Sequence, residues 1–509
     1  MPRKLRLLMV LGLLPLLFTF TSWSEPGRAL TVDAANPASE DLDGDSVFRT
    51  ITAAVAAAAP GGLIKVAPGR YDRALGERFP ITIDKDLAIE TRGGPAETII
   101  DAGGAIEAIE IRGGSVIFRG FTLQRAGGTK AAGIAVMGKV GNIEISNNVV
   151  QDIAAESGSY SFGIRIYQVS SGKVAISNNS VQQVAGNGIS VGHSSAAIAV
   201  RGNLVTEIAR ATIDDLEYSV GIAVNAASGV VVEGNRVSGA TLGISLMGST
   251  SCTVRGNRLT DNLQRGPISY AGAEFTAPGA GVLVAFDSHD NLILENEVRG
   301  NGVGIGLYLA DDNRIERNTM SDNGATTVTL EGVTVHGLGI ALDYSHRNRV
   351  LDNTIENNGD VGIVLKDAAL NVVSDNVINN HRDSGILIHD GVRDAANIIE
   401  RNVIEGTVGA GIRIKSGYSE IRQNELTANG MGIELLETAE AKDHWVHDNE
   451  ISGNRFGLRN GGQGMVRAKN NWWGDVSGPY HPRLNTAGKG DAVSNNVDFR
   501  PWRTAQVRS

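Results

Sequence analysis

The chain has 509 residues, 64 of them glycine and only 5% aromatic, a balance that suits many tight turns and excludes a large globular core built on rings. Its formal net charge of −10 disfavours non-specific binding to nucleic acid or to anionic membrane. A single cysteine, Cys252, excludes an internal disulfide and reads as a buried thiol.

The N-terminus carries Arg3, Lys4 and Arg6 ahead of an apolar run over residues 7–20, with Ser22 and Ser24 small enough for a cleavage site. Residues 1–24 therefore read as a secretory signal, giving a periplasmic or secreted protein with no membrane span once it is removed. A retained anchor helix is the alternative, but the run is short and contains Pro15. Next comes DLDGD, Asp41 to Asp45, whose alternate carboxylates suit either a hard cation such as Ca²⁺ or a plain acidic lead-in. No other cofactor is expected. Residues 48–59 place Ile51, Val55 and Ala58 on one helical face before Pro60, Gly61 and Gly62 stop the helix. This helix is expected to cap an open end, with Leu63 to Val66 as the first strand; residues 25–84 form the lead-in, capping helix and first coil.

From about residue 85 to 471 one pattern repeats. Gly followed by Ile, Val or Leu opens a short alternating strand at Gly133, Gly163, Gly188 and so on to Gly457, and each is answered by an asparagine, from Asn148 to Asn471. The shortest interval, Asn296 to Asn318, is 22 residues. A unit that short, with three brief strands, cannot bury its own apolar face, so neighbours must stack. Apolar residues alternate at period two, as in Ile386 and Ile388, which favours strands over helices. A second asparagine column precedes the first by five residues, at Asn291, Asn313, Asn348, Asn371 and Asn397. Stacked amides can bond to one another inside such a solenoid.

Four coils carry extra residues, after Asn148, Asn203, Asn257 and Asn318, always before the glycine-led strand. They are expected to project from one edge and wall a groove, bringing Tyr160, Tyr218, Tyr270, Phe275, Asp214, Asp215, Glu217, Glu274 and His336. Rings among carboxylates suit a sugar chain, whose CH faces stack and whose hydroxyls bond; tolerated surface insertions are the plainer alternative. At the far end Trp472, Trp473, Phe499 and Trp502 gather where the repeat stops, and residues 472–509 read as an aromatic C-terminal cap and tail.

Three stretches carry a family resemblance. FRTITAAVAAAAPGGLIKVAPGRY, residues 48–71, resembles the opening module of secreted pectin-lyase-like proteins, itself a family of unknown function. The coils from Gly133 onward resemble the carbohydrate-binding and sugar-hydrolase repeat of polysaccharide lyases, alginate epimerases and periplasmic NosD copper-accessory proteins. The tail NNWWGDVSGPYHP with VDFRPW resembles the closing segment of many such proteins. The fold implied is all-β: a single-stranded right-handed parallel β-helix with an N-terminal capping helix and an aromatic C-terminal cap. The resemblance is specific for fold and not for function.

Two candidate sites follow. FDSHD, residues 286–290, resembles the DPHD motif of alginate C5-epimerases at Asp287, His289 and Asp290, with Ser288 in place of proline; it also falls where the repeat places a polar turn. The second comes from rung geometry. Residues one and three after the glycine point inward, so the fourth points outward, and successive fourth positions are Tyr308, Asp343, Lys366, His389 and Lys415. Arg413 stands on the same face, and Asp367, Asp390 and Arg393 continue the turns. Removing the C5 proton of a uronic acid needs a base, a cation for the carboxylate and an acid for the leaving oxygen. Lys366, His389, Lys415 and Tyr308 offer those groups, with Asp343 orienting His389 or holding a cation. The competing expectation is a solvated, charged outer face that only steadies the stack. Seven methionines and nine histidines form no cluster with copper-ligand spacing. The expected function is binding or modification of an extended polysaccharide, by lyase or C5-epimerase chemistry if enzymatic; the alternative is a non-catalytic scaffold, a binding protein or a NosD-like accessory protein.

Overall fold

The structure is a computed structural model. It describes residues 29–37, 46–213, 216–263, 266–270, 273–277, 279–324, 327–330, 333–389, 395–440 and 444–506, with backbone alone at 212–213, 216–218, 266–270, 273–277, 328–330 and 333. The signal segment, the DLDGD stretch, Asp214, Asp215, Asp390 and Arg393 lie outside it, as do the side chains of Glu217, Tyr218, Tyr270, Glu274 and Phe275.

Each coil is three short strands separated by corners. In one coil the glycine-led strand is Val303–Tyr308, the second strand Arg314–Glu316 and the third Thr319–Ser321. Ile305, Leu307, Ile315 and Met320 point inward and are at most 1% exposed, the period-two alternation of a strand with one face in the core. Every strand pairs in parallel with its counterpart in the next coil, as Tyr308 does with Asp343 and Asp343 with Lys366. Among the described residues the second strands form a 19-stranded sheet. The glycine-led and third strands merge into a 30-stranded one, because Ser180–Gly192 runs through a corner without a break.

The corners explain the asparagines. Asp312, Arg317 and Asp322 take φ values of 58°, 51° and 56°, a left-handed conformation that non-glycine residues adopt reluctantly. Each is followed by a buried asparagine, Asn313, Asn318 and Asn323, whose amide bonds to the coil on either side. Asn318 Nδ2 donates to Asn353 Oδ1 at 3.0 Å and to Ile293 O at 2.9 Å. Two such ladders match the expected columns. A third, unexpected one runs through Asn262, Asn301, Asn323 and Asn358, and its next rungs hold His381 and Thr407 before asparagine resumes at Asn429 and Asn454. Cys252 occupies a ladder position, its backbone N–H donating to Asn291 Oδ1.

At the N-terminus the helix is Ile51–Ala57, shorter than expected. Thr50 caps it by accepting from Ala53 N, and the Glu77 carboxylate accepts from Ile51 N and Thr52 N. Phe48 belongs instead to the strand Val47–Phe48, which pairs with Leu30–Val32. Gly62–Val66 is therefore not the first strand: Leu30 pairs with Ile64. At the other end Trp473 and Phe499 are at most 1% exposed, and Val497–Asp498 extends the second sheet over Val466–Arg467. The aromatic segment closes the solenoid as expected.

Three of the insertions are antiparallel hairpins: Ala211–Ile213 with Leu216–Tyr218, Gly266–Tyr270 with Ala273–Ala277, and Thr327–Leu330 with Val333–His336. The outer face of the glycine-led sheet is correspondingly not a solvated one. Val303, Leu338, Ala341, Val361, Val364 and Leu387 form a buried apolar cluster there, separate from the interior core, and Val335 of the third hairpin joins it.

Candidate functional site

Tyr308, Asp343, Lys366, His389 and Lys415 do stand in one outward column. Parallel register links each to the next as far as His389, and Lys415 N donates to Ile388 O one rung on. The expectation of a solvated column is corrected: Asp343, Lys366 and His389 are 6%, 2% and 4% exposed. Adjacent rungs stand about 4.8 Å apart, so neighbours along the column interact directly.

Lys366 is the hub. Its ammonium donates to Asp367 Oδ2 at 2.6 Å, lies 3.9 Å from Asp343 Oδ1 and sits 4.8 Å from the centre of the Tyr344 ring. Burial works against this ammonium, but its hydrogen bond to Asp367 and the charges of Asp343 and Asp367 outweigh it, so its pKa lies above the ordinary lysine value. The expected partnership of Asp343 with His389 is not formed, because Lys366 occupies the rung between them. His389 Nε2 instead meets Lys415 Nζ, one nitrogen donating and the other accepting. Tyr308 is half-buried and packs edge-on against Phe286 at 5.6 Å and Tyr344 at 6.4 Å.

Arg413 does not face outward as a free cation. Its guanidinium pairs with Asp383 and, at 2.9 Å, with Glu434. Burial lowers its pKa, and both carboxylates more than restore it.

Beside the column, at the corner leading into the second sheet, lies a cleft of about 480 Å³ lined by Asp287, His289, Asp311, Asp312, Tyr344, His346 and Arg347. The FDSHD residues form its far wall. Ser288 is fully buried, accepts from Ser249 N at 3.1 Å and donates to Ala285 O at 2.7 Å. Asp287 and His289 are exposed on either side, and His289 Nδ1 lies 2.9 Å from Asp290 Oδ2. The motif thus first serves a corner, and its chemical groups face the cleft rather than the column. Sequence reasoning missed Tyr344 and His346. Tyr344 directly follows the column residue Asp343, a signal that was available. His346 Nδ1 accepts from Ala369 N at 3.1 Å, which leaves its proton on Nε2.

Fold and site together define a pectin-lyase-like right-handed parallel β-helix repeat protein. A profile described as "Periplasmic copper-binding protein (NosD)" matches residues 206–332 and 322–482, more than half of the chain, and the chain belongs to that family. It is accordingly a periplasmic or secreted protein; among the described residues no helix is long and apolar enough to cross a membrane. A second profile, "Protein of unknown function (DUF1565)", matches residues 39–245. No curated protein sequence matches. Among solved structures the chain is similar to the Dettilon tailspike protein gp208 at 15% identity and a TM-score of 0.39, covering 75% of this chain but only 61% of that one. It is similar to a cysteine-to-alanine mutant of DFA-IIIase from Arthrobacter chlorophenolicus A6, in complex with DFA-III, at 17% identity and 0.44, over 73% and 95% of the two chains. It is also similar to the periplasmic alginate epimerase AlgG at 12% identity and 0.32, over 88% and 85%. At identities this low the likeness concerns the path of the chain alone.

The description of the family names copper. Among the described residues no group of three or more His, Cys, Asp or Glu is placed to hold a metal ion. Cys252 Sγ is buried and donates to Thr250 O, and Met320 lies in the core. The described residues do not fit a copper centre.

Proposed function

We propose that the protein binds an extended, uronate-containing polysaccharide along the corner cleft and the neighbouring column. The observation that carries this reading is Tyr344, which lines the cleft while its ring faces the Lys366 ammonium. A ring offers a stacking surface to sugar CH faces, Asp311, Asp312 and His346 offer partners to hydroxyls, and Lys415, half-buried at the end of the column, offers a cation to a uronate. Arg347 is itself held by Asp311 at 3.0 Å and Asp312 at 2.8 Å, so the cleft is preorganised.

The enzymatic form of this reading rests on the His389–Lys415 contact. One nitrogen of that pair takes the C5 proton while the ammonium stabilises the charge delocalised onto the carboxylate. In a lyase the freed electron pair forms the C4–C5 double bond, and the O4 leaving group departs with a proton; in an epimerase a proton returns to the opposite face of C5. A second reading, a rigid non-catalytic binder, is favoured by the burial of Asp343, Lys366 and His389, which leaves a bound sugar little contact with them. The two are separated by incubating the mature protein with alginate and pectate. Unsaturated product or C5 inversion, abolished in His389→Ala Lys415→Ala, supports chemistry. Binding without turnover, lost in Tyr344→Ala, supports the binder, and no binding of any uronate polymer overturns both.

A further inference from the structure

The Tyr344 cleft lies on the corner between the glycine-led sheet and the second sheet, and the same corner continues toward the N-terminus. Register sets its outward residues in one row. Ser228 N donates to Ser194 O and Thr250 N to Ala227 O, while Ser228 is bridged in parallel to Thr250, and Thr250 to His289. His289, Asp311 and His346 each stand two residues before a ladder asparagine, and those asparagines, Asn291, Asn313 and Asn348, bond in succession. The row therefore reads Ser195, Ser228, Thr250, His289, Asp311, His346, polar on every rung. Steps of about 4.8 Å carry it about 24 Å along the solenoid. Its floor is fixed from below by hydroxyls one residue earlier, since Ser194, Ser249, Ser288 and Ser345 each accept a backbone N–H from the preceding coil.

A second cleft opens on the N-terminal half of this row, about 380 Å³ in volume and lined in part by His193, Ser195, Ser228, Gly248 and Thr250. It adjoins the first, because Thr250 lines the one and its bridged neighbour His289 the other. We infer that the two are one groove, whose N-terminal half holds uncharged sugar units of the same chain that lies against Tyr344. This rests on the reading of the Tyr344 cleft and narrows its ligand to a heteropolysaccharide of neutral and uronate units. Charge carries the narrowing. The Tyr344 half has Asp287, Asp311, Asp312 and Arg347, and the column runs on from there to Lys415. The lining of the other half has no carboxylate, ammonium or guanidinium. A uronate there would shed water and meet no counter-ion, which is costly. A neutral unit instead meets hydroxyls at rung spacing: Ser195 and Ser228 are exposed and Thr250 half-exposed, open to the hydroxyls of a sugar. At the far end the half-open Tyr167 ring, 37% exposed, meets the His193 ring edge-on at 5.4 Å, a platform for sugar CH faces. On the next two rungs Ala226 and Gly248 take the place of His193, and their small side chains leave the groove open.

The test is titration calorimetry of the mature protein with alginate disaccharide and octasaccharide, uronate throughout, and with gellan and hyaluronan octasaccharides, which join glucuronate to neutral sugars. At least one mixed octasaccharide is expected to bind about tenfold or more tightly than alginate octasaccharide. Ser228→Ala and Thr250→Val are each expected to weaken the mixed ligand about fivefold or more, the loss of one uncharged hydrogen bond, and to leave alginate disaccharide unchanged. Tyr344→Ala is expected to weaken both. Thermal melts matching wild type exclude a folding defect, and Ser228, exposed, is the safer of the two positions. The inference is overturned if neither mixed octasaccharide binds more tightly than alginate octasaccharide, or if that binding is unmoved by Ser228→Ala and Thr250→Val. Alginate disaccharide that still responds to Tyr344→Ala then leaves the reading of that cleft standing. If no probe responds to Tyr344→Ala, that reading fails, and this one with it.

Discussion

Asn318 donates from its side-chain amide to Asn353 at 3.0 Å although 35 positions of chain separate them. Asn353 Oδ1 also accepts from Asn318 N at 2.9 Å, so one oxygen closes the left-handed corner of the coil before it.

Asn353→Ala should therefore be expensive. It strands two buried N–H donors of Asn318 at once, each costing about 1–3 kcal/mol. Urea unfolding should show a loss of about 2–5 kcal/mol on that scale, whereas Glu356→Ala, at the half-buried end of the next strand, should change the midpoint little.

Two interior histidines make the solenoid acid-sensitive. Burial holds His381 and His444 at a pKa of about 4, while in the unfolded chain each titrates near 6.5. Between those values the unfolded state binds the extra protons, so stability is full above about pH 6.5 and falls as pH drops toward 4. Each histidine contributes a loss of up to about 3 kcal/mol. Comparing unfolding at pH 7 and pH 4.5 should show the effect, and His381→Asn, which restores the ladder residue, should remove about half of it.

Lys366→Met removes the buried ammonium and leaves Asp343, 9% exposed at its side chain, facing an apolar neighbour. Breaking a buried ion pair from one side costs about 3–5 kcal/mol. The melting temperature should fall clearly, and Asp343→Asn in the same chain should recover much of it. If the single variant melts like wild type, the column is not under cover.

Cys252 is buried at a ladder position, and its thiol pKa is raised to about 11 by burial. Iodoacetamide at pH 8 should label it only after denaturation, since the thiolate is the reactive form. Fast labelling of the native protein would show that this corner opens.

Much of the architecture was legible because each coil states it separately. The five-residue offset that revealed two asparagine columns also marks the third, since Asn323 follows Asn318 by five and Asn358 follows Asn353 by five. It is the least legible of the three because His381 and Thr407 interrupt the series. The order of the column was legible too, and with it the fact that Lys366 divides Asp343 from His389. What the residue types did not disclose is that Arg413 spends its charge on Asp383 and Glu434, carboxylates contributed by other rungs.

The amino-acid order by itself determined the coil: its length, its inward alternation and its asparagine corners, because these rest on contacts repeated between neighbouring rungs. Only the tertiary structure decided what becomes of the outer face. Burial there depends on hairpins such as Thr327–Leu330 with Val333–His336 folding back over strands that were formed elsewhere in the chain. The same outward position, two after the glycine, is consequently an apolar floor at Val364, a buried hydroxyl at Ser245 and a paired guanidinium at Arg413.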